Sequence, residues 1–556
     1  MRVVLGREEE HRSTPYHRPP VPPGAPRTIR AMLRSAGRWD WYEIPVEWLQ
    51  AWAKTTGGPV PGVVIRPKGT IEIHRTHLPL LRAAGFDVSN VGDPAVESPP
   101  TYGDVELRPW QATGRAWLTP RRGALVSDEM RLGKTLMALS MHDASTGPLM
   151  VLAPLDVRRV WLRWVERLWP GVNVYCLEGH TIDPDALKAA DVVFGHYDIV
   201  VKHRLVSFRP GTLIVDEAHL LANKKSKRTE GVRFFSGQAH RVLVLTGTPL
   251  WNHVKGLWPL LAMTAPGAWG KDFSFKQRYC QPTMGEYGWR YDGVSNEEEW
   301  YLRRQEVVLA RTWASERPDL PLPVYRREIV PVDRALTEAL DDAAAALASA
   351  NEQTITTINR YRQILGRVKA THAVTKALAR SSRVVVWSWH RSVANFIAKE
   401  IRARDRPAFV IHGQEPVEKR LDAIDQWSAT PGAVLSATLA VGQVGLDLSA
   451  APYAVMAELD WTPVVLSQAA MRIFDPTRGM EVDILGADHP VDSLLADRVV
   501  TKLKRSQITR MAAADSGFHM SEEAVDRRDL LAGLDEIVTR TTAKFDRRHA
   551  DSTGGA

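Results

Sequence analysis

At 556 residues the chain is too long for one hydrophobic core, and domains of about 100–200 residues suggest three or four. Hydrophobic residues at 44% and charged residues at 24% suit a soluble globular protein, and no apolar run approaches the ~20 residues of a membrane span, so no membrane partner is expected. The excess of 72 Lys+Arg over 64 Asp+Glu favours a polyanionic partner, nucleic acid first, while the two cysteines, Cys176 and Cys280, exclude a disulfide framework or zinc cluster. That cysteine usage, with an N-terminus lacking the apolar core of a signal peptide, points to a reducing, cytoplasmic, non-secreted protein.

In chain order, "RPPVPPGAP" (residues 18–26) reads as a stiff polyproline-like arm. "GVVIRP" and "TIEIHR" then suggest a hairpin-like pair, and "LPLLRAAGFDV" a helix ended by Gly85. From Tyr102 short apolar runs alternate with helical patterns: "GALVS", "LMVLAPL", "DVVFGHY", "TLIVDEA", "RVLVLTG". Such runs suit buried parallel strands in βαβ units. "ERPDLPLPV" looks like a linker, "ALDDAAAALASANEQ" like a helix, and a second series follows: "RVVVWSW", "PAFVIHG", "AVLSAT", "YAVMAELDW", "EVDILGA". The fold class is therefore α/β. We expect an N-terminal arm and small accessory domain over 1–100, a first lobe over 101–316, a linker over 317–330, a second lobe over 331–515 and a charged helical tail over 516–556.

Three motifs carry chemistry. "SDEMRLGKT" (127–135) joins a strand to a helix through a loop ending in Gly-Lys-Thr. There Lys134 reaches β- and γ-phosphates and the Thr135 hydroxyl holds Mg²⁺. "TLIVDEAHL" ends an apolar strand in two carboxylates roughly eighty residues later. Asp216 suits Mg²⁺, and Glu217 suits orienting or deprotonating water. "VLTGTPLWN" supplies Thr246 and Thr248, a hydroxyl pair suited to sensing the carboxylate loop, or a plain turn about Gly247.

Together these segments resemble a superfamily 2 helicase core, and more narrowly the Swi/Snf-type family of double-stranded-DNA translocases. The resemblance runs over residues 105–485 with the motifs in order. "LRPWQATGRAWL" resembles the adenine-recognition segment, which implies Gln111 near the base with Arg108 beside it. "SDEMRLGKT" resembles motif I, typically D-E-M-G-L-G-K-T, and brings Asp128, Met130 and Gly133 into the nucleotide site. "VLAPLDVRRVWLRWVERLWP" resembles motif Ia, which lies along the DNA backbone. "DEAHLLANKKSKR" resembles motif II, of DEAH wording with His219 as a coupling residue, and the Asn-plus-basic segment after it. "LTGTPLWNHVKGLWPLL" resembles motif III. "VVVWSWHRSVANFIAKEI" resembles motif IV. "SATLAVGQVGLDLSAAPYAVMAELDWTP" resembles motif V, where Gly442, Gly445 and Asp447 fit but Gln443 replaces a common glycine. "SQAAMRIFDPTRG" resembles motif VI, and "AELDWTP" has the wording of the annealing-helicase (HARP-like) branch.

The resemblance implies two tandem RecA-like lobes, ATP and Mg²⁺ as cofactors, and DNA as partner through its backbone, with the chain a monomer. Lys134, Glu217, Gln468 and Arg472 take catalytic roles, and Arg472 also contacts the nucleotide. Motif VI departs from the family: Asp475 stands where a second arginine is usual, with Arg478 three residues later. On a helix, three residues is ~4.5 Å, so Arg478 could substitute, although Pro476 argues against an uninterrupted helix. Arg158 and Arg159 in motif Ia, and Lys224, Lys225, Lys227 and Arg228 after motif II, are backbone grips or a solvated basic face. Trp39, Trp41, Tyr42, Trp48 and Trp52 beside Arg34 and Arg38 form either a small aromatic core or a stacking surface for unpaired bases. The leading reading is an ATP-driven translocase on double-stranded or branched DNA. The alternatives are a nucleotide-gated DNA clamp with impaired ATPase and an RNA helicase of the same superfamily. Arg131, where the family has glycine, is expected to keep a negative φ with its side chain turned from the phosphate-facing amides.

Overall fold

The computed structural model describes residues 40–44, 62–65, 71–83, 104–333, 354–489 and 492, apart from short stretches at 180, 204–207, 248–253, 286–287, 292, 321–322, 443–445 and 461–462. The proline arm, the "ALDDAAAALASANEQ" segment, the tail, Arg34, Arg38, Trp39, Trp48, Trp52, Gly85, Thr248 and Gly445 lie outside the described residues.

The described residues form two units. The first is built on a seven-stranded sheet of β4 (Gly123–Val126), β5 (Leu149–Leu152), β6 (Val174–Cys176), β7 (Val192–Gly195), β8 (Thr212–Val215), β9 (Arg241–Leu245) and β12 (Val308–Leu309), with a separate hairpin of β10 (Pro282–Gly285) and β11 (Gly288–Tyr291). Its order is β12-β4-β9-β8-β5-β7-β6, parallel throughout. Every residue of β4, β5, β7 and β8 is buried, which is why these strands read as unbroken apolar runs. Helices cover the sheet, some through a single apolar stripe and Val254–Thr264 buried on most of its surface. In the helix Arg158–Leu168, Trp161, Val165 and Leu168 face inward at spacings of four and three. Cys176 ends the edge strand β6 half-buried, whereas Cys280 is wholly buried after the helix Asp272–Tyr279.

The second unit carries a six-stranded parallel sheet in the order β13-β18-β17-β14-β16-β15. Its strands are β13 (Val324–Val330), β14 (Val384–Ser388), β15 (Ala408–Ile411), β16 (Val434–Thr438), β17 (Tyr453–Met456) and β18 (Glu481–Ala487). Both lobes are thus α/β, as the alternating pattern implied.

Two boundaries differ from expectation. The segment 317–330 is not all linker, because β13 pairs with β18 along its full length, from Val324↔Glu481 to Val330↔Ala487. As an edge strand it leaves Val324 and Ile329 exposed and carries Arg326, Arg327 and Glu328, so it lacks the buried-strand signature.

Nor do the described residues before 100 form a body of their own. The strands β1 (Trp41–Ile44), β2 (Val63–Ile65) and β3 (Ile71–His74) make the antiparallel sheet that the hairpin reading foresaw, but it is welded to the first unit. Arg75 pairs with Asp40 at 2.8 Å and Glu306 at 3.1 Å, and Glu306 also binds Arg121 at 3.0 Å. Arg303, fully buried, donates to Thr76 and to the Ala268 carbonyl. Removing one partner from such a cluster strands a buried charge at a cost of about 3–5 kcal/mol. Tyr42 is buried and Trp41 packs edge-on against His74, so the described aromatics here are core.

Candidate nucleotide and nucleic-acid site

The loop of residues 127–133 leaves β4 and enters the helix Lys134–Leu139. Three ties hold it. Trp110 Nε1 donates to the Leu132 carbonyl at 3.0 Å, and Gln111 Nε2 donates to the Gly133 carbonyl at 3.0 Å. Gln111 Oε1 accepts from the Arg108 amide at 2.9 Å, capping its helix Pro109–Leu118. The adenine-recognition segment is therefore a structural neighbour of the phosphate loop, with exposed Arg108 stacked over Trp110. Gly133 has φ 86°, and a Cβ there would collide with Gln111 Nε2 at 2.1 Å.

The third tie was invisible in the sequence. Asp128, 1% exposed, receives the Arg311 amide at 3.0 Å and its guanidinium at 3.1 and 2.5 Å. The Asp128 carboxylate thus braces the loop through a residue 183 positions away. Arg131 also departs from expectation. Its φ is 68°, in the left-handed region, not negative. The loop turns twice with left-handed residues, at 131 and 133, and the ties at Asp128, Leu132 and Gly133 over-determine that path.

Lys134 Nζ donates to the carbonyls of Asp128 at 2.7 Å and Glu129 at 3.0 Å. Burial pushes its pKa down, opposed by Asp128, Glu217, Asp216 and Glu129. Thr135 follows on the same helix. Met130 is buried, and the turn after β9 closes on it. A Cβ at Gly247 would stand 2.8 Å from Met130 Cγ and 3.6 Å from Lys134 Nζ, beside buried Thr246.

Asp216 and Glu217 follow β8, two strands from β4 in the sheet. The Asp216 carboxylate accepts from Trp161 Nε1 at 2.9 Å and from the Glu217 amide at 2.9 Å, and its carbonyl accepts from the Tyr197 hydroxyl. Burial, then Glu217, raises its pKa to about 6 against the opposing pull of Trp161, the Glu217 amide and Lys134. Glu217 has φ 49° and precedes the short turn Ala218–Leu221, with Oε2 3.4 Å from His219 Nδ1. Lysine and paired carboxylates thus meet at the carboxyl ends of parallel strands, where α/β sheets bind ligands. Among the described residues no cluster of three His, Cys, Asp or Glu is arranged to hold a metal unaided. A magnesium ion fits instead in its usual manner, on one or two protein oxygens plus phosphates and water. The raised Asp216 pKa fits a buried carboxylate pair short of positive charge.

In the second unit Gln468 and Arg472 are buried at the end of the helix Pro463–Met471. Arg472 Nε donates to the Gly442 carbonyl at 3.0 Å, and its own carbonyl receives the Leu448 amide. Asp447 is exposed and caps Ser449 at 3.0 Å. The helix stops before Asp475, so Arg478 is not on a continued helical face. It sits in a turn closed by Asp475, whose carboxylate accepts from the Thr477 amide at 2.8 Å. The Arg478 guanidinium donates to the carbonyls of Ser449 at 2.5 Å and Ala451 at 3.2 Å, which gives it a structural task.

The basic residues divide by partner. Arg158 pairs with Glu178 at 2.5 Å, Lys224 with Asp272, and Arg228 with Asp198 at 2.6 Å. Arg159, Lys225 and Lys227 are exposed. Arg158 and Arg159 open one helix and Lys227 and Arg228 another, Lys227–Ser236. Cations at that end work against the helix dipole by about 0.3–1 kcal/mol each, yet add to it in attracting phosphate.

Residues 44–316 match the SNF2-related domain and residues 366–475 the helicase conserved C-terminal domain. The chain belongs to the SNF2 family of superfamily 2. Its SNF2 relatives include the SWI/SNF-related matrix-associated actin-dependent regulator of chromatin subfamily A-like protein 1 of Xenopus tropicalis, 27% identical over 76% of this chain and 46% of that protein. The Drosophila melanogaster protein of the same name is 29% identical over 66% of this chain and 51% of its own length. The ISWI chromatin-remodeling complex ATPase of Saccharomyces cerevisiae is 24% identical over 78% of this chain and 43% of its own. The chain spans about half the length of the curated relatives it matches first. Among solved structures, the Sulfolobus solfataricus SWI2/SNF2 ATPase core in complex with dsDNA is 20% identical, over 75% of this chain and 96% of that one, at a TM-score of 0.38. Among the described residues, no helix is long and apolar enough to cross a membrane.

Proposed function

We propose that this SNF2 protein hydrolyses ATP and uses the cycle to move along duplex or branched DNA, annealing strands or remodelling forks. The observation that carries the reading is the meeting of Lys134 with Asp216 and Glu217 at the ends of β4 and β8. Lys134 and the loop amides bind the phosphates, and Asp216 with Thr135 holds the magnesium ion, which supplies charge neutralisation at the transferred phosphoryl group. Glu217 orients the attacking water, and Gln111 with Arg108 sets the base. Arg472 keeps the catalytic role that motif VI implies, and the basic helix ends contact the DNA backbone.

The test is ATP turnover without nucleic acid and with single strands, duplex, forks and RNA, with Glu217→Gln as the inactive control. Turnover raised most by duplex or forks is the expected result. A response that is flat across all five defeats the reading. A second reading, a nucleotide-gated clamp with little turnover, is favoured by one observation: Asp475 replaces an arginine and Arg478 is engaged on Ser449 and Ala451. It predicts nucleotide-dependent DNA retention with no turnover above that of the Glu217→Gln variant.

A further inference from the structure

Asp216 is gripped by two aromatic donors, and each sits beside a basic group of the candidate DNA surface. Trp161, 1% exposed, donates from Nε1 to Oδ2 at 2.9 Å. It lies on the helix Arg158–Leu168, whose first two residues are Arg158 and Arg159. Tyr197, 4% exposed, donates its hydroxyl to the Asp216 carbonyl. Its neighbour Asp198 holds Arg228 in a fork, at 2.6 and 3.2 Å. The two donors therefore arrive on separate helices and bind separate oxygens of one residue.

We propose that Trp161 and Tyr197 are positioning residues that transmit engagement of the nucleic-acid backbone to the metal-binding carboxylate. This rests on the reading of the protein as a DNA-stimulated ATPase. The physical argument has two halves. A phosphate drawn to Arg158 and Arg159 loads the helix that carries Trp161. A phosphate competing for Arg228 loosens its fork with Asp198, the residue next to Tyr197 on the helix Tyr197–His203. Either event shifts a buried aromatic side chain whose polar tip fixes the direction of the Asp216 oxygens. Neither aromatic side chain touches nucleotide: Trp161 acts on the carboxylate that would hold the ion, and Tyr197 on the main-chain carbonyl of the same residue. Outer groups of this kind typically alter metal affinity by about 10–100-fold when removed.

The experiment uses the full chain with Trp161→Phe and Tyr197→Phe, which delete the donors; Tyr197→Phe keeps the ring and Trp161→Phe leaves a smaller aromatic one. Three quantities are read: magnesium-dependent binding of a fluorescent non-hydrolysable ATP analogue, affinity for a labelled duplex, and the ratio of turnover with and without duplex. The expected result is a magnesium half-saturation raised by about tenfold and a collapsed stimulation ratio, with duplex affinity within about twofold of wild type. Wild-type magnesium dependence in both variants overturns the proposal. So does an equal loss of basal and stimulated turnover with an unchanged ratio, which marks a purely structural role. If wild type itself shows no stimulation, the ATPase-on-DNA reading fails, and with it the transmission half of the proposal. The magnesium data then still decide whether Trp161 and Tyr197 position Asp216.

Discussion

Arg131 shows how a single residue can defeat a sound local rule. An arginine prefers negative φ, yet the phosphate loop places it at φ 68°. The left-handed conformation costs an L-residue about 1–2 kcal/mol. A glycine there would lose roughly 0.5–1 kcal/mol more backbone entropy on folding, so the exchange still favours glycine slightly. Arg131→Gly should raise the thermal midpoint by roughly 1–3 °C in a melting experiment. A lowered midpoint would mean that the arginine side chain's own contacts outweigh the strain. The Lys134, Asp216 and Glu217 constellation was legible because its residue types and spacing report phosphate chemistry directly. Its supports were not. Arg311 reaches Asp128 across 183 positions, and Trp161 and Tyr197 read as ordinary core aromatics until their polar tips are seen on Asp216.

Among the elements, legibility followed burial. The strands β4, β5, β7, β8, β14 and β16 are buried along their whole length, and each announced itself as an apolar run. The edge strand β13 is half-exposed and charged, the edge strand β6 is half-exposed and only three residues long, and the two-residue β12 is too short to have a pattern. The N-terminal sheet offers a pH test at this scale. His74 caps the turn Arg75–His77 by accepting the Thr76 amide on Nδ1 at 3.2 Å. Burial lowers its pKa to about 3; Arg75 and Arg303 push the same way and Asp40 opposes them. Because the folded value lies below the unfolded value of 6.5, the unfolded chain takes up the proton first as pH falls. The stability from neutral His74 is present above about pH 6.5 and is lost between there and about 3, at up to ~1.4 kcal/mol per pH unit. His74→Asn keeps a capping acceptor without the titration. Urea midpoints of the variant at pH 7 and pH 5 should therefore differ less than those of wild type. Equal differences would place the acid sensitivity elsewhere.

For the whole molecule, the net charge of +8 says less than where the cations are committed. Arg158, Lys224 and Arg228 already face carboxylates, whereas Lys225 and Lys227 extend into solvent. Duplex affinity should fall linearly in a log–log plot against salt, with a slope of about −0.9 per phosphate neutralised. Lys225→Ala with Lys227→Ala should flatten that slope by about two. Arg158→Ala, which removes a cation already paired with Glu178, should change it by less than one. Fluorescence anisotropy between about 50 and 200 mM salt measures both.

The two cysteines make the molecule unusually easy to watch. Both fall in the first unit, and nature has left the second without a thiol. Cys280 is buried with its pKa raised to about 12, so it stays inert to maleimide at neutral pH. Cys176, half-buried at the rim of the first sheet, is the natural handle. One engineered cysteine in the exposed turn after the helix Arg391–Arg402 of the second unit, at Arg404 for instance, completes a dye pair without stripping the background first. The distance between the dyes could then be followed molecule by molecule, with and without nucleotide, in a chain otherwise identical to the natural one.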